Sequence, residues 1–201
     1  YDFTLGFRNA FSYKNLSMSV LVDMKFGADV YSMSKMQSHV NGTSKETLEG
    51  REGWYASEQA RLSANVDAKD WTPTGGYVGK GVKAVTDADG NVSYVPNDVY
   101  VDPAKYWQAL QNSSPEPFIC DNSFVKLREV SLSYSCPKKW FVHTPIESVT
   151  LSAYGRNLLL IYSKVDNIDP ESSYNNGNGQ GFEYGSLPSR RTFGFGINVK
   201  F

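Results

Sequence analysis

Reactive side chains are scarce in this sequence. Its 201 residues hold two cysteines and two histidines. Cys120 and Cys136 are separated by a strand-like stretch, and sixteen residues at about 3.3 Å each hold them about 50 Å apart. A disulfide needs Cα atoms within about 7 Å, so the two thiols should stay unpaired. An excess of either charge is also missing. Twenty basic residues face 21 acidic ones, which gives no basic face for a nucleic-acid partner. Long apolar runs are absent too. The longest, Leu158-Leu159-Leu160-Ile161-Tyr162, falls far short of the roughly 18 residues a membrane helix needs. A transmembrane barrel would leave the same polar average, because its strands alternate lipid-facing and lumen-facing residues. The chain starts at Tyr1 with neither Met nor a charged-then-apolar leader. It starts within a strand pattern, and the expectation is a piece of a longer protein.

What the sequence does have is aromatic residues and alternation. Tyr and Phe number 13 and 11, a mix that favours β-structure. From Arg191 to Phe201 the odd positions from 193 are Phe193, Phe195, Ile197, Val199 and Phe201. The even positions are Thr192, Gly194, Gly196, Asn198 and Lys200. Period two makes one face apolar and the other polar or bare. Eleven residues tilted by about 45° span roughly 25 Å, the height of a barrel's apolar band. Phe3, Leu5, Phe7, Phe11 and Tyr13 alternate in the same way, with Asn9 as the exception. After a tight Lys14-Asn15 turn, so do Leu16, Met18, Val20, Val22, Met24 and Phe26. Val149, Leu151 and Ala153 alternate with Thr150, Ser152, Tyr154 and Arg156. Between Phe124 and Ser135 the phase slips near Arg128-Glu129, where a β-bulge would restore the facing.

These patterns predict five long strands, near 2–13, 16–27, 123–136, 148–161 and 191–201. The connections run to about two, 95, 11 and 29 residues. Alternating short and long connections fit an up-and-down membrane barrel, with short periplasmic turns and long outer loops near 28–122 and 162–190. If Phe201 ends at the periplasm, both short turns fall there as well. Aromatics gather at strand ends, as interfacial girdles would: Phe11, Tyr13, Tyr134, Trp140 and Phe201 at one, Phe3, Phe26, Phe124, Tyr162 and Phe193 at the other. The expected class is all-β, an antiparallel transmembrane barrel. Five strands cannot close one, so the rest must lie outside this sequence.

Within the long loop, Val30, Met33, Met36 and Val40 predict an amphipathic helix at 28–40. Asp102-Pro103 predicts an N-cap opening a helix through Leu110. Asp87-Ala88-Asp89-Gly90-Asn91 is similar to a calcium loop, yet its sixth and twelfth positions are Val92 and Asp98 where Gly and Glu are needed. A type I′ hairpin turn is the expectation there. Three triplets, at Asn15, Asn41 and Asn91, match the glycosylation pattern; in a bacterial outer membrane they would be chance.

Several motifs, in order, resemble the SusC/RagA family of TonB-dependent transporters. They are the stretch Phe124-Val125-Lys126-Leu127-Arg128-Glu129-Val130-Ser131-Leu132-Ser133-Tyr134, Gly155-Arg156-Asn157-Leu158, Asn167-Ile168-Asp169-Pro170-Glu171-Ser172, and the run from Gly181 to Phe201 with Leu187-Pro188-Ser189-Arg190-Arg191. The first hairpin and Gly75-Gly76-Tyr77 also fit. Cys136 stands where an aromatic is expected. The resemblance implies a 22-stranded outer-membrane barrel of which this chain supplies the last five strands, a plug domain, a TonB-contacting segment and a SusD-like surface lipoprotein as lid. It implies energised import of oligosaccharides or peptides, and no cofactor.

Candidate site residues follow. Trp54, Tyr55, Trp71 and Tyr77 can stack on sugar rings, pack the loop, or meet the lid. Arg8, Asp23, Lys25 and Arg156 fall on the polar face and can line a solute path, or pair with one another or with the plug. His39, expected at the outer surface, and His143, in a periplasmic turn, are ordinary exposed or capping residues too far apart for a shared metal or triad. The competing readings are an enzyme on a barrel, for which no compact catalytic set is visible, and a soluble secreted β-sandwich binding module.

Overall fold

Period-two alternation places two kinds of surface on one sheet, and the computed structural model shows which strands share it. Residues 1–173 and 177–201 are described. In chain order the elements are β1 (Phe3–Tyr13), β2 (Leu16–Phe26), β3 (Asp29–Ser32), α1 (Met33–Val40), α2 (Arg51–Ser63), β4 (Tyr77–Val78), β5 (Val82–Thr86) and β6 (Val92–Pro96). Then come β7 (Tyr100–Val101), α3 (Pro103–Ser113), β8 (Ile119–Asp121), β9 (Phe124–Ser135), β10 (Ser148–Ser163), β11 (Phe182–Glu183) and β12 (Thr192–Lys200). They form two compact units, one of Tyr1–Ser32 with Ile119–Phe201 and one of Met33–Phe118.

The first unit is built on an antiparallel five-stranded sheet of order β1-β2-β9-β10-β12. Tyr13 pairs with Leu16 across a two-residue turn in which Lys14 adopts φ 52°. Directly paired residues share a face. One row therefore joins Ser12, Ser17, Ser133 and Ser152, and another joins Phe11, Met18, Leu132 and Ala153. The first face is mostly polar, with Leu21, Tyr154 and Phe124 among its exceptions, and the second mostly apolar, with Asn9 as an exception. Among the described residues nothing covers the apolar face at β12: Phe195 is 86% exposed and Ile197 73%. The sheet is open, with β1 and β12 at its edges. Among the described residues, no helix is long and apolar enough to cross a membrane.

The phase slip at Arg128-Glu129 is a bulge. Adjacent Leu21 and Val22 face Glu129 and Leu127, so Arg128 has no partner on β2. On β10, Arg156 and Leu159 face the same two residues, so Asn157 and Leu158 make a matching detour. The extra residue lets Arg128 and Glu129 both serve the polar side while Leu127 and Val130 keep the apolar one. Phe124 departs from expectation. It pairs with Lys25 on the polar face and is fully buried, so it is no part of an interfacial girdle. The reason is the same bulge, which reverses the phase of every residue before it.

The predicted helix over 28–40 is a strand followed by a helix. Asp29–Ser32 form β3, which pairs antiparallel with β8 and parallel with β11, and only Met33–Val40 are helical. Val30 is buried in this small sheet. Cys120 and Cys136 form no disulfide with each other.

The second unit folds around rings. Trp107, Tyr77, Phe118 and Met36 are buried. Trp107 lies 4.6 Å from the His39 ring, 5.7 Å from Tyr77 and 5.3 Å from Tyr106. His39 is therefore not an exposed residue. It is 2% exposed, with Nδ1 against the Lys35 carbonyl and Nε2 2.8 Å from Glu46. That contact holds the Glu46 carboxyl below its usual range. The Asp102 carboxylate accepts from the Ala104 N–H at 2.9 Å and Pro103 opens α3, the capping its sequence predicted. Gly75 packs on α2 so closely that a Cβ there would sit 2.7 Å from the Gly53 carbonyl oxygen. Strands β5 and β6 form a hairpin, but its loop spans 87–91 and is not the two-residue type I′ turn expected. Asp87 Oδ1 accepts from the N–H groups of Asp89 and Asn91, and Gly90 takes φ 86°. The carboxylate thus organises the turn itself.

Candidate functional site

Beyond its serine rows, the polar face becomes charged, and the charges come from chain segments far apart in sequence. Glu129, Arg156, Leu21 and Arg8 occupy one row. Arg156 Nε donates to Glu129 at 2.8 Å and Arg8 lies 3.8 Å from it. Both arginines are well exposed, and such pairs contribute little stability in water.

The next rows are more enclosed. Arg128, set inward by the bulge, reaches four acceptors. Its Nη2 donates to Asp23 and to Glu171 Oε1 at 2.6 Å each. Its Nη1 donates to Glu171 Oε2 at 2.9 Å and to Asn157 Oδ1 at 2.6 Å. The two bonds to Glu171 form a fork-on-fork pair, the geometry a guanidinium suits best. Lys126, only 4% exposed, has three ammonium donors and three acceptors: Glu171 at 2.7 Å, Ser189 at 2.9 Å and Asp169 at 3.1 Å. A buried ammonium is tolerated only when paired and fully hydrogen-bonded, and this one is.

The acidic partners lie on the segment after β10, which folds back over the sheet's polar side. Asp169 Oδ1 accepts from the Glu171 N–H and Oδ2 from the Ser189 N–H. The Ser189 hydroxyl also donates to Asp169. Asn157 Nδ2 donates to the Arg190 carbonyl, and Asn122 Nδ2 to that of Pro170. Burial pushes the carboxyls of Asp169 and Glu171 upward. Hydrogen bonds from Ser189 and the Asp169 turn, and from Arg128 and Lys126, more than offset it, so both sit below their usual range. At β8, hydrogen bonds from Lys164 at 2.6 Å and from Ser123 hold Asp121 down at about 2.

The structure places the four polar-face candidates on this surface. Asp23 joins the Arg128 cluster, and Arg156 and Arg8 meet at Glu129. Lys25 caps the rings of Tyr1 and Phe124, at 5.5 and 5.8 Å. Sequence reasoning did not single out Lys126, Arg128, Asn157, Asp169, Glu171 or Ser189 as site residues. The phase slip at Arg128 was the available signal: an inserted residue in a regular strand asks what its side chain is for.

The aromatic candidates separate. Trp54 and Tyr55 line a hollow in the second unit. Trp71 Nε1 donates to Ser57 at 3.0 Å, and Tyr77 is buried against Tyr106 and Trp107. Among the described residues, no group of three or more His, Cys, Asp and Glu is placed to hold a metal.

No protein-family model matches the chain. Two curated proteins of Formosa agariphila match it end to end. TonB-dependent receptor P3 is 27% identical, with all of this chain aligned to 16% of its length. TonB-dependent receptor P26 is 28% identical, with 17% of its length aligned. Over its whole length the chain is similar to a segment of these TonB-dependent receptors. It spans about a sixth of the curated relatives' length. The chain also shares its fold with solved structures described as the RagAB peptide transporter and the RagAB peptide importer in its closed-closed state. Their TM-scores are 0.53 and 0.59, each at 18% identity over 98% of this chain and 17% of the other. The matched proteins are receptors and transporters, not enzymes.

Proposed function

We propose that this segment is part of the wall of an outer-membrane β-barrel, the last five strands of 22, in a TonB-dependent importer of oligosaccharides, peptides or other nutrients. Its partners in this reading are the barrel's other strands and plug, a SusD-like lipoprotein lid, TonB acting through the plug side, and outer-membrane lipid. The observation that carries the reading is the pair of sheet faces. Among the described residues, nothing covers the apolar face at Phe3, Phe7, Phe193, Phe195 and Ile197, while the opposite face carries serines and a satisfied ion network. Hydrocarbon suits the first and a watery channel the second. The sheet's two open edges would be ruinous in lipid unless further strands pair with them.

In this reading the segment from Lys164 to Arg191 is an outer loop fastened inward. Lys126 and Arg128 hold it across the channel side, where it narrows the solute path. Transport then requires solute binding at the mouth, lid closure and plug displacement, with this wall as the fixed element.

A soluble β-sandwich would need a second sheet over Phe193, Phe195, Ile197 and Val199, and among the described residues nothing covers them. Fractionation of the full-length protein tests the two readings. Recovery with outer membranes, released only by detergent, is expected. Recovery in the detergent-free soluble fraction would overturn the barrel.

A further inference from the structure

The end of the sheet that carries the two short turns differs in charge from the rest of the chain. Lys14, Lys138, Lys139 and Lys200 gather there with one acidic side chain, Glu147. The whole sequence, by contrast, sets 20 basic residues against 21 acidic ones. Hydrogen bonds stitch these segments into one edge. The Ser135 N–H donates to the Asn15 carbonyl at 2.9 Å, that of Cys136 to Val149 at 2.8 Å, and that of Glu147 to Lys200 at 2.7 Å. The Glu147 carboxylate is already taken by the Lys200 ammonium, at 2.9 Å. Lys14, Lys138 and Lys139 are exposed and form no ion pair among the described residues.

These three ammoniums stand beside apolar side chains. Lys14 Nζ lies 5.2 Å from the centre of the Tyr13 ring. Tyr13 begins the apolar row that runs through Leu16, Tyr134, Leu151 and Ile197. Lys138 and Lys139 share a short 3-10 turn with Trp140, which is 60% exposed, and Val142 beyond it is 69% exposed. An acidic peptide would satisfy the lysines and leave the greasy row bare. A zwitterionic headgroup brings its own cation and cancels nothing. A lipid with a net negative headgroup supplies both chemistries in one molecule, because clustered basic residues attract anionic lipid and exposed Trp settles at headgroup depth. We propose that this edge is a binding surface for anionic phospholipid, with Lys14, Lys138 and Lys139 on the headgroup phosphates and the acyl chains along the Tyr13 row. The surface rests on the barrel-wall reading, in which this edge faces the periplasm.

The test follows hydrogen exchange over residues 136–147 of the full-length protein in neutral detergent as lipid is added. Phosphatidylglycerol is the probe, phosphatidylcholine the zwitterionic arm, and glycerol phosphate the headgroup without its chains. Phosphatidylglycerol is expected to slow exchange at a lower concentration than phosphatidylcholine, and added salt should narrow the gap. Lys14→Gln, Lys138→Gln and Lys139→Gln together should raise the half-saturating phosphatidylglycerol concentration about tenfold and leave that of phosphatidylcholine unchanged. The same three lysines changed to Arg should keep the preference. Lys45→Gln, Lys69→Gln and Lys105→Gln, exposed on the Met33–Phe118 unit, should not alter it. Protection by phosphatidylglycerol that survives the first triple change overturns the proposal. So does protection by glycerol phosphate at the same concentration, which would make the ligand a free anion. If the protein fractionates with outer membranes but the edge prefers neither lipid, the surface falls and the wall stands.

Discussion

The sheet and the Met33–Phe118 unit are stabilised in opposite ways. The sheet has regular hydrogen bonding and almost no interior of its own: Phe195 and Ile197 stand in the open, and its enclosed residues are Phe124 and a set of charges with their partners. The other unit has little regular pairing and a small ring core around Trp107, Tyr77 and Phe118. A β-sheet with one bare apolar face depends on its surroundings to complete it. A loop unit with its own core does not. The first should be sensitive to what lies on its bare apolar face, and the second to what fills its centre.

The largest expected effect breaks that contrast from the loop side. Trp107→Ala removes the ring at the centre of the second unit and should cost it about 3–5 kcal/mol, seen as faster hydrogen exchange across α3, while exchange in β10 and β12 is unchanged. Equal loosening of both would show that the units do not fold separately. Next is the network. Glu171→Ala takes a partner from both Lys126 and Arg128 and should cost about 3 kcal/mol, because a buried cation is left half-paired. The measurement is protease cleavage between Lys164 and Lys200 in detergent-solubilised receptor, and an uncut loop would refute the fastening. Third is the sheet. Ile197→Arg should lower the unfolding free energy in lipid by about 2–3 kcal/mol, whereas Asn198→Arg, on the adjacent polar face, should change it by less than about 0.5 kcal/mol. Similar effects at the two positions would mean that the faces do not see different solvents. Asp102→Ala removes the cap of α3 and should cost about 1 kcal/mol, read in the same exchange experiment as Trp107→Ala.

The smallest effect is on pH. Asp121, Asp169 and Glu171 all have folded values below their unfolded ones. Their stabilisation is complete above the ordinary carboxylate range and is lost as pH falls through the folded values, about 2 for Asp121. Hydrogen exchange over residues 164–173 should stay slow at neutral pH and speed up below about pH 4. Faster exchange on raising the pH would contradict the sign.

The regions also differ in how far they can be read from residues alone. Strand alternation depends on neighbours two apart, so β1, β2 and β12 are visible as Phe3 to Phe11, Leu16 to Phe26 and Phe193 to Val199. The bulge is visible as a break in that count, and the α3 cap is visible because Asp102-Pro103 is a local signal. The rest depends on distant pairing. Val30 has helical spacing with Met33 and Met36, but it pairs across the strand with Cys120, ninety residues away. Helix α2 shows no apolar stripe because it packs through Gly53 against Gly75 and buries Ser57. Glu171 and Lys126 belong to separate motifs, and nothing within either indicates that they meet.

The bulge at Arg128 makes one position separable from its strand. Excise that residue, and Leu127 and Glu129 still face Val22 and Leu21, so the rungs against β2 close into an unbroken ladder while β10 keeps its own detour. Every remaining side chain stays on its side. One of the two ties on the segment after β10 would go with no rung lost from β2, leaving Lys126 alone to hold Glu171 and Asp169, so shortening the protein by one amino acid separates the two ties without disturbing the sheet.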